Sequence, residues 1–392
     1  MSSILYVGDL TPGTRCEQRL RALHDLGHSV TAVPIVPRRP SAQVYPRPRL
    51  VDRVARRLGR PIDRSGANAR ILRRLESEDF HALWIEAGRT IRADTLAQAR
   101  ALQPELQIVH FSEDDLWVRA NQTRTWRAAA EQYDLLVTTK LRNTADDELP
   151  TLGAGAVHYE PKTFDPAFHF PRELTDEDRR RLGGDVGFIG TYERERAETC
   201  LELARAGFSV RVFGGGWERL RGKHPKLRIE GRAVGGDEYP KAVAALRIQL
   251  GFLRHANRDR HTDRSVEVPA CGGFLLAERT DEHLRLFEEG REAAYFDTFD
   301  ELCAELERFL DDDALRSEVA AAGRARCVES DYSHHGAVAR ILARVGVPSP
   351  VPPAEAAGRA LRAVRSVAQG VEDVSAALPL SSPDRSWSRS LR

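Results

Sequence analysis

ILYVGDLTPGTRCEQRLRALHDLGHSVTAVPIV, residues 4–36, reads as strand, turn, helix, strand. ILYVG is a short apolar strand. Leu20, Leu23 and Leu26 recur at helical spacing before Gly27, a natural helix stop. SVTAVPIV is the second strand. Two apolar strands joined through a helix pair in parallel, because a two-residue hairpin cannot connect them. The alternation resumes with a helix over 67–76, HALWIEAG (81–88), a helix over 93–102, QIVHFSEDD (107–115), a helix over 125–132 and DLLVTTK (134–140). Residues 37–62, rich in Pro and Arg, read as irregular.

The series breaks at AVHYEPKTFDPAFHFPREL (156–174), with three prolines inside 161–171. A second series follows: DVGFIGTY (185–192), a helix over 194–206, SVRVFGGGW (209–217), LRIEG (227–231), IQLGFLRH (248–255), GFLLAER (273–279), EAAYFD (292–297) and a helical run over 299–345. The expected fold class is α/β, with two Rossmann-like doubly wound domains, 1–165 and 166–345. Residues 346–392 are expected to form a linker, one helix over 354–368 and a disordered Ser/Arg-rich tail.

With 41 % hydrophobic and 30 % charged residues the chain sits at the globular average, which excludes collagenous or wholly disordered classes. Basic and acidic side chains number 59 and 58, so broad nucleic-acid binding is not expected. The basic side chains are 54 arginines and five lysines, a bias that suits forked recognition of anions as well as a biased genome. Five cysteines without a CxxC pair suggest neither a zinc ribbon nor a disulfide framework, so reduced thiols in a cytoplasmic protein are expected. No signal peptide or membrane span is read. The Arg- and Trp-containing tail leaves peripheral membrane contact open.

Ligands of open parallel sheets bind beyond the carboxyl ends of the strands. In the first half that rule selects Glu86, Arg89, Asp114, Asp115 and Lys140. SEDD (112–115) reads as a helix cap, a hard-cation site or, through Asp114 or Asp115, a general base. In the second half Gly190, Thr191 and Tyr192 form a loop before a helix whose first turn carries Arg196, an arrangement suited to a pyrophosphate. Gly215 sits in a second glycine loop, FGGGW. The densest stretch is FLRHANRDRHTDRSVEVPACGGFLLAERT, 252–280. There Arg254, Asn257, Arg258, His261 and Arg264 offer the donors expected around phosphate. Glu267, read as starting a short helix with Pro269 in its first turn, can accept from both ribose hydroxyls. The histidine spacing does not suggest a metal site.

Residues 186–335 resemble the nucleotide-sugar-binding domain of GT-B glycosyltransferases, specifically the spore-maturation (CgeB-like) group. The pieces are GFIGTYERER, RVFGGGW, NRDRHTDRSVEVPACGGFLLAERT, LFEEGREAAYF and AAAGRARCVESDYSHH. The resemblance implies a hexosyltransferase with two domains facing across a cleft. It implies a nucleotide-sugar donor held by the second domain, an acceptor on the side of the first, and no bound metal or cofactor. It places Glu267 on the ribose. Eight positions earlier, where related retaining enzymes carry a second glutamate, stands Asp259. Two alternatives remain open: a non-catalytic nucleotide-sugar-binding protein, and a GT-B-type nucleotide-sugar 2-epimerase.

Overall fold

A computed structural model describes residues 2–37, 39–40, 47–119 and 121–377, with side chains up to residue 366. The chain forms two six-stranded sheets, all strands parallel. The first contains β1 (Ser3–Gly8), β2 (Ser29–Pro34), β3 (Ala82–Glu86), β4 (Gln107–Ser112), β5 (Leu135–Thr138) and β6 (Ala156–Tyr159), in the order β2-β1-β3-β4-β5-β6. The second contains β7 (Gly184–Ile189), β8 (Val210–Phe213), β9 (Leu227–Ile229), β10 (Leu246–Gly251), β11 (Leu275–Glu278) and β12 (Ala294–Phe296), in the order β12-β11-β10-β7-β8-β9. Both orders reverse direction beside the first strand of the unit, which opens a crevice at the carboxyl ends of the strands. The two doubly wound α/β units expected from the alternation are present.

Helices cover both faces of each sheet, so the central strands are buried runs rather than alternating patterns. In the first unit one face packs Leu5, Val7, Leu83 and Ile108 against Ile71, Leu96 and Trp126. The opposite face packs Ile4, Tyr6, Trp84 and Val109 against Leu23, Val338, Ile341 and Leu342. The last three belong to helix His334–Arg344, which the sequence reading attached to the second unit. The chain therefore crosses between the units twice. The two crossings pair: the Phe164 amide donates to the Tyr332 carbonyl at 3.0 Å, and the His334 amide to the Phe164 carbonyl at 2.8 Å. Thr163 Oγ1 and His334 Nδ1 lie 2.5 Å apart, and His334 Nε2 reaches Gln18 at 3.0 Å, so the hinge is bonded to the first unit.

Three local readings change. Residues 37–62 are not irregular throughout, since Leu50–Arg57 is a helix. Glu267 does not begin its helix: the helix is Asp263–Ala270, opened by the Thr262 amide donating to Ser265 Oγ at 2.9 Å, so Glu267 lies mid-helix and Pro269 near its end. The terminal segment forms helix Pro353–Ala377, with Ala356 buried against the first unit, while the tail 378–392 lies outside the described residues. No helix among the described residues is long and apolar enough to cross a membrane.

Candidate functional site

A cleft of about 760 Å³ lies between the units. Its first wall is the loop after β1 and the start of helix Arg15–Asp25, with Glu113 from the loop after β4. Its second wall is Val234, Gly235, Gly236, Tyr239 and Glu267, with Phe168 and His169 from the hinge.

A chain of alternating charges runs through the cleft. Deep in the first unit Arg19 grips Glu86 with Nε and Nη2, at 2.8 and 2.9 Å, and reaches Glu113 with Nη1 at 3.1 Å. Tyr6 and Trp84 also donate to Glu86, at 3.0 and 2.9 Å. Lys162 of the hinge lies 3.8 Å from Glu113 and 3.2 Å from Asp263 of the second unit. Arg15 of the first unit bridges Asp263 at 2.8 Å and Glu267 at 3.1 Å. Glu267 also accepts from the Tyr239 hydroxyl at 2.8 Å, and His169 Nε2 lies 3.7 Å away. Burial opposes the charge on Asp263, Glu113 and Lys162, and neighbouring opposite charges outweigh it. Against burial, Arg15, Lys162 and Arg264 hold the Asp263 carboxyl well below the usual range. Lys162, Arg19 and Arg15 do the same for Glu113, and Asp263 and Glu113 keep Lys162 protonated. Burial pushes His169 down, which favours its neutral form, and burial and Glu267 push the Tyr239 hydroxyl up.

The expected site residues divide into three groups. Glu267 opens directly on the cleft, 6 % exposed. Arg264, in the first turn of the same helix, lies over the Phe188 ring at 5.1 Å. Its terminal nitrogens reach the carbonyls of Ile189 and Phe252 only at 3.4 and 3.3 Å, and its buried Nε has no partner among the described residues. Beside it is the Gly190 loop, where an added Cβ would stand 3.3 Å from Arg264 Nη1.

The glycine loops form a second group. The Tyr192 amide donates to the Gly215 carbonyl at 3.0 Å, and Trp217 Nε1 to the Gly190 carbonyl at 2.9 Å. Gly214, at φ +147°, approaches so closely that a Cβ there would meet the Gly190 carbonyl oxygen at 1.9 Å. Thr191 and Tyr192 are exposed at this rim, and the Tyr192 ring meets Trp217 edge-on at 5.6 Å. Gly215 itself faces open space.

The third group does not face the cleft as expected. Arg258 points across the interface at Asp115 (2.6 and 2.9 Å) and Glu148 (2.7 and 2.8 Å), so it latches the units together rather than waiting for a diphosphate. Asp115 is fully buried and also accepts from the Trp117 amide at 2.8 Å and Asn143 at 2.9 Å, which removes it as a general base. Asn257 accepts from the Asp115 amide and Asn121 and donates to Asp259, which pairs with Lys140. His261 is buried, with Nδ1 2.6 Å from Glu282 and Nε2 accepting the Lys162 amide at 2.9 Å, so neither nitrogen is free for a donor. Arg196 spends Nε and Nη2 on the Leu253 carbonyl, at 3.2 and 2.9 Å, and props the end of β10. Arg254 is exposed and meets Glu193 at 3.2 Å. Asp114 is half-buried and pairs with Arg89 at 2.5 Å. The residues that sequence reasoning missed are Arg15, Lys162 and Tyr239, whose partners lie across the cleft or far along the chain. The one signal in the sequence was position, since Arg15 follows the first βα loop.

Residues 194–343 match a family model described as glycosyl transferase-like. No curated protein matches the chain. Among solved structures, a sucrose-phosphate synthase from Thermosynechococcus elongatus aligns with TM-score 0.56 and 13 % identity, covering 96 % of this chain and all of that one. HepE of Anabaena, solved in complex with UDP, aligns with TM-score 0.56 and 10 % identity over 88 % of this chain and all of its own. The N-terminal domain of a Candida albicans trehalose-6-phosphate phosphatase reaches TM-score 0.61 at 11 % identity, over 88 % and 96 %. The fold is GT-B, two Rossmann-like domains facing across a cleft.

Proposed function

We propose that the chain is a glycosyltransferase, moving a sugar unit from a nucleotide diphosphate donor to an acceptor hydroxyl without a resident metal or cofactor. The glycosyl transferase-like match over 194–343 supports the class. The observation that carries the reading is Glu267, a charged acceptor on the cleft wall in a segment that also presents Arg264 with an unpartnered buried Nε. Glu267 accepts the ribose hydroxyls, exchanging bonds it now makes to Arg15 and Tyr239. Arg264 and the amide-rich end of helix Arg194–Arg205 stabilise the charge that develops on the departing diphosphate. The second domain holds the donor and the first presents the acceptor.

Glu113 on the cleft wall and Asp263 behind it are ion-paired and shifted down, which makes these two weak bases. The neutral His169, on the wall that carries Glu267, is the better-placed proton acceptor for an acceptor hydroxyl. The anomeric configuration of the product decides between inversion with such a base and retention. In retention the acceptor oxygen bonds on the face that the diphosphate leaves, and its proton passes to a diphosphate oxygen. Titration with UDP, GDP, dTDP and ADP, then turnover of the sugar conjugate of whichever binds, tests the reading, with the anomeric configuration followed by NMR. Failure to bind any nucleotide ends it. Sugar inversion at C2 without acceptor identifies an epimerase instead.

A further inference from the structure

Nine large hydrophobic side chains are exposed among the described residues, and five lie within one thirteen-residue stretch: Leu50, Val51, Val54, Leu58 and Ile62. Leu50 is 73 % exposed and Leu58 59 %. At 3.6 residues per turn, Leu50, Val51, Val54 and Leu58 fall within an arc of roughly 100° on helix Leu50–Arg57 and its cap. A surface helix ordinarily turns such an arc inward. This one turns it outward. The side facing the protein is Asp52, Ala55 and Gly59. Asp52 pairs with Arg64 at 2.9 Å, and the Gly59 carbonyl accepts the Thr125 amide at 3.2 Å. A Cβ at Gly59 would meet Arg124 Cγ at 2.9 Å, so the contact on that side is already tight. No residue of the helix is buried.

The polar flank is basic. Arg49, Arg53, Arg56, Arg57 and Arg60 fall along the one flank of the apolar arc that does not face the protein and engage no carboxylate among the described residues. An apolar stripe edged by unpaired cations matches one kind of surface, an apolar layer beneath anionic headgroups. We propose that helix Leu50–Arg57 is an interfacial anchor that lies in the plane of an anionic lipid bilayer, with Leu50, Val54 and Leu58 in the acyl boundary and the arginines at the headgroups. A docked protein would leave five cations to be matched one by one, whereas an anionic bilayer meets them all with a continuous sheet of charge.

The test uses the full chain and unilamellar vesicles of phosphatidylcholine alone or with about 30 % phosphatidylglycerol, read by co-sedimentation. Binding is expected only to the anionic vesicles, falling at least tenfold between about 0.1 M and 0.5 M NaCl. Leu50→Ser/Val54→Ser/Leu58→Ser is expected to weaken it at least tenfold with an unchanged melting temperature, because the three side chains are exposed. Arg53→Glu/Arg56→Glu/Arg57→Glu is expected to abolish it, and decides the matter if the serine variant melts early. The proposal is overturned if wild type ignores anionic vesicles, binds both kinds equally, or is matched by both variants. It is also overturned if sedimentation velocity shows a dimer that the serine substitutions disperse, since a second copy then covers the face. None of these readouts depends on glycosyl transfer.

Discussion

Replacing Arg258 by methionine should cost about 2–3 kcal/mol of stability and leave nucleotide affinity within about twofold. Arg258 makes four bonds of 2.6–2.9 Å to Asp115 and Glu148, the only ones among the described residues that join those carboxylates to the second unit. Removing one partner of a buried ion pair costs roughly 3–5 kcal/mol. Two observations reduce that figure. Arg258 is 38 % exposed, so water screens the pair. Asp115 also keeps the Trp117 amide and Asn143, and Glu148 keeps Asn143 at 2.8 Å, so neither carboxylate is orphaned. Methionine preserves the stem and adds no strain beyond what Arg258 already bears at φ +48°. The melting midpoint should fall by roughly 4–12 °C. The pH dependence has a definite sign. Burial raises the Asp115 carboxyl, but bonds from Arg258, Asn143 and the Trp117 amide outweigh it and hold it below the usual range. A folded pKa below the unfolded one gives stability that is present above about pH 5 and lost as pH falls through the folded value. The gap between wild type and variant should therefore close in acid. Calorimetry and nucleotide titration on the same sample decide. Unchanged stability with a tenfold loss of affinity would refute the latch and restore Arg258 as a donor contact.

Glu267→Gln should weaken nucleotide binding roughly 10- to 100-fold, since bonds to a charged acceptor contribute about 1.5–3 kcal/mol; equal affinity by titration removes Glu267 from the ribose. Gly214→Ala should destabilise by about 2–4 kcal/mol in urea unfolding, because its Cβ would overlap the Gly190 carbonyl, whereas Gly215→Ala, in open space, should stay within about 0.5 kcal/mol. If the two behave alike, the close approach of the loops is not what fixes them. Glu86→Gln leaves the buried Arg19 without its full counter-charge and should cost about 3–5 kcal/mol; a neutral result in denaturant titration would show that Glu113 alone satisfies Arg19.

The strands were legible because strands of a parallel sheet are buried on both faces and read as short apolar runs: ILYVG, ALWIE and GFIG all stand where those runs do. Helix Leu50–Arg57 escaped notice although Leu50, Val54 and Leu58 have helical spacing, because its Pro- and Arg-rich surroundings read as loop. Helix His334–Arg344 was seen, but its destination was not, since nothing local says which sheet an amphipathic helix covers. The site was legible only where one segment carries it, as in Arg264 and Glu267. Arg15 and Glu267 are 252 positions apart, and Arg258 and Asp115 are 143 apart. A run of arginines looks the same in sequence whether it awaits a phosphate or already holds a carboxylate. Partners decide that, and partners come from topology.

The arginine-rich segment 254–264 thus divides its work by geometry. On one side of the interface Arg258 and Asp259 are tied to Asp115, Glu148 and Lys140 of the first unit. His261 is tied to the hinge through the Lys162 amide. On the other side Glu267 opens on the cleft, and Arg264, one helical turn earlier, stands beside the Gly190 loop. The same segment therefore sets the separation of the two units and presents the groups that face the gap between them. Asn257, Arg258, Asp259 and His261 spend bonds on partners in the first unit and the hinge, next to the helix that carries Glu267.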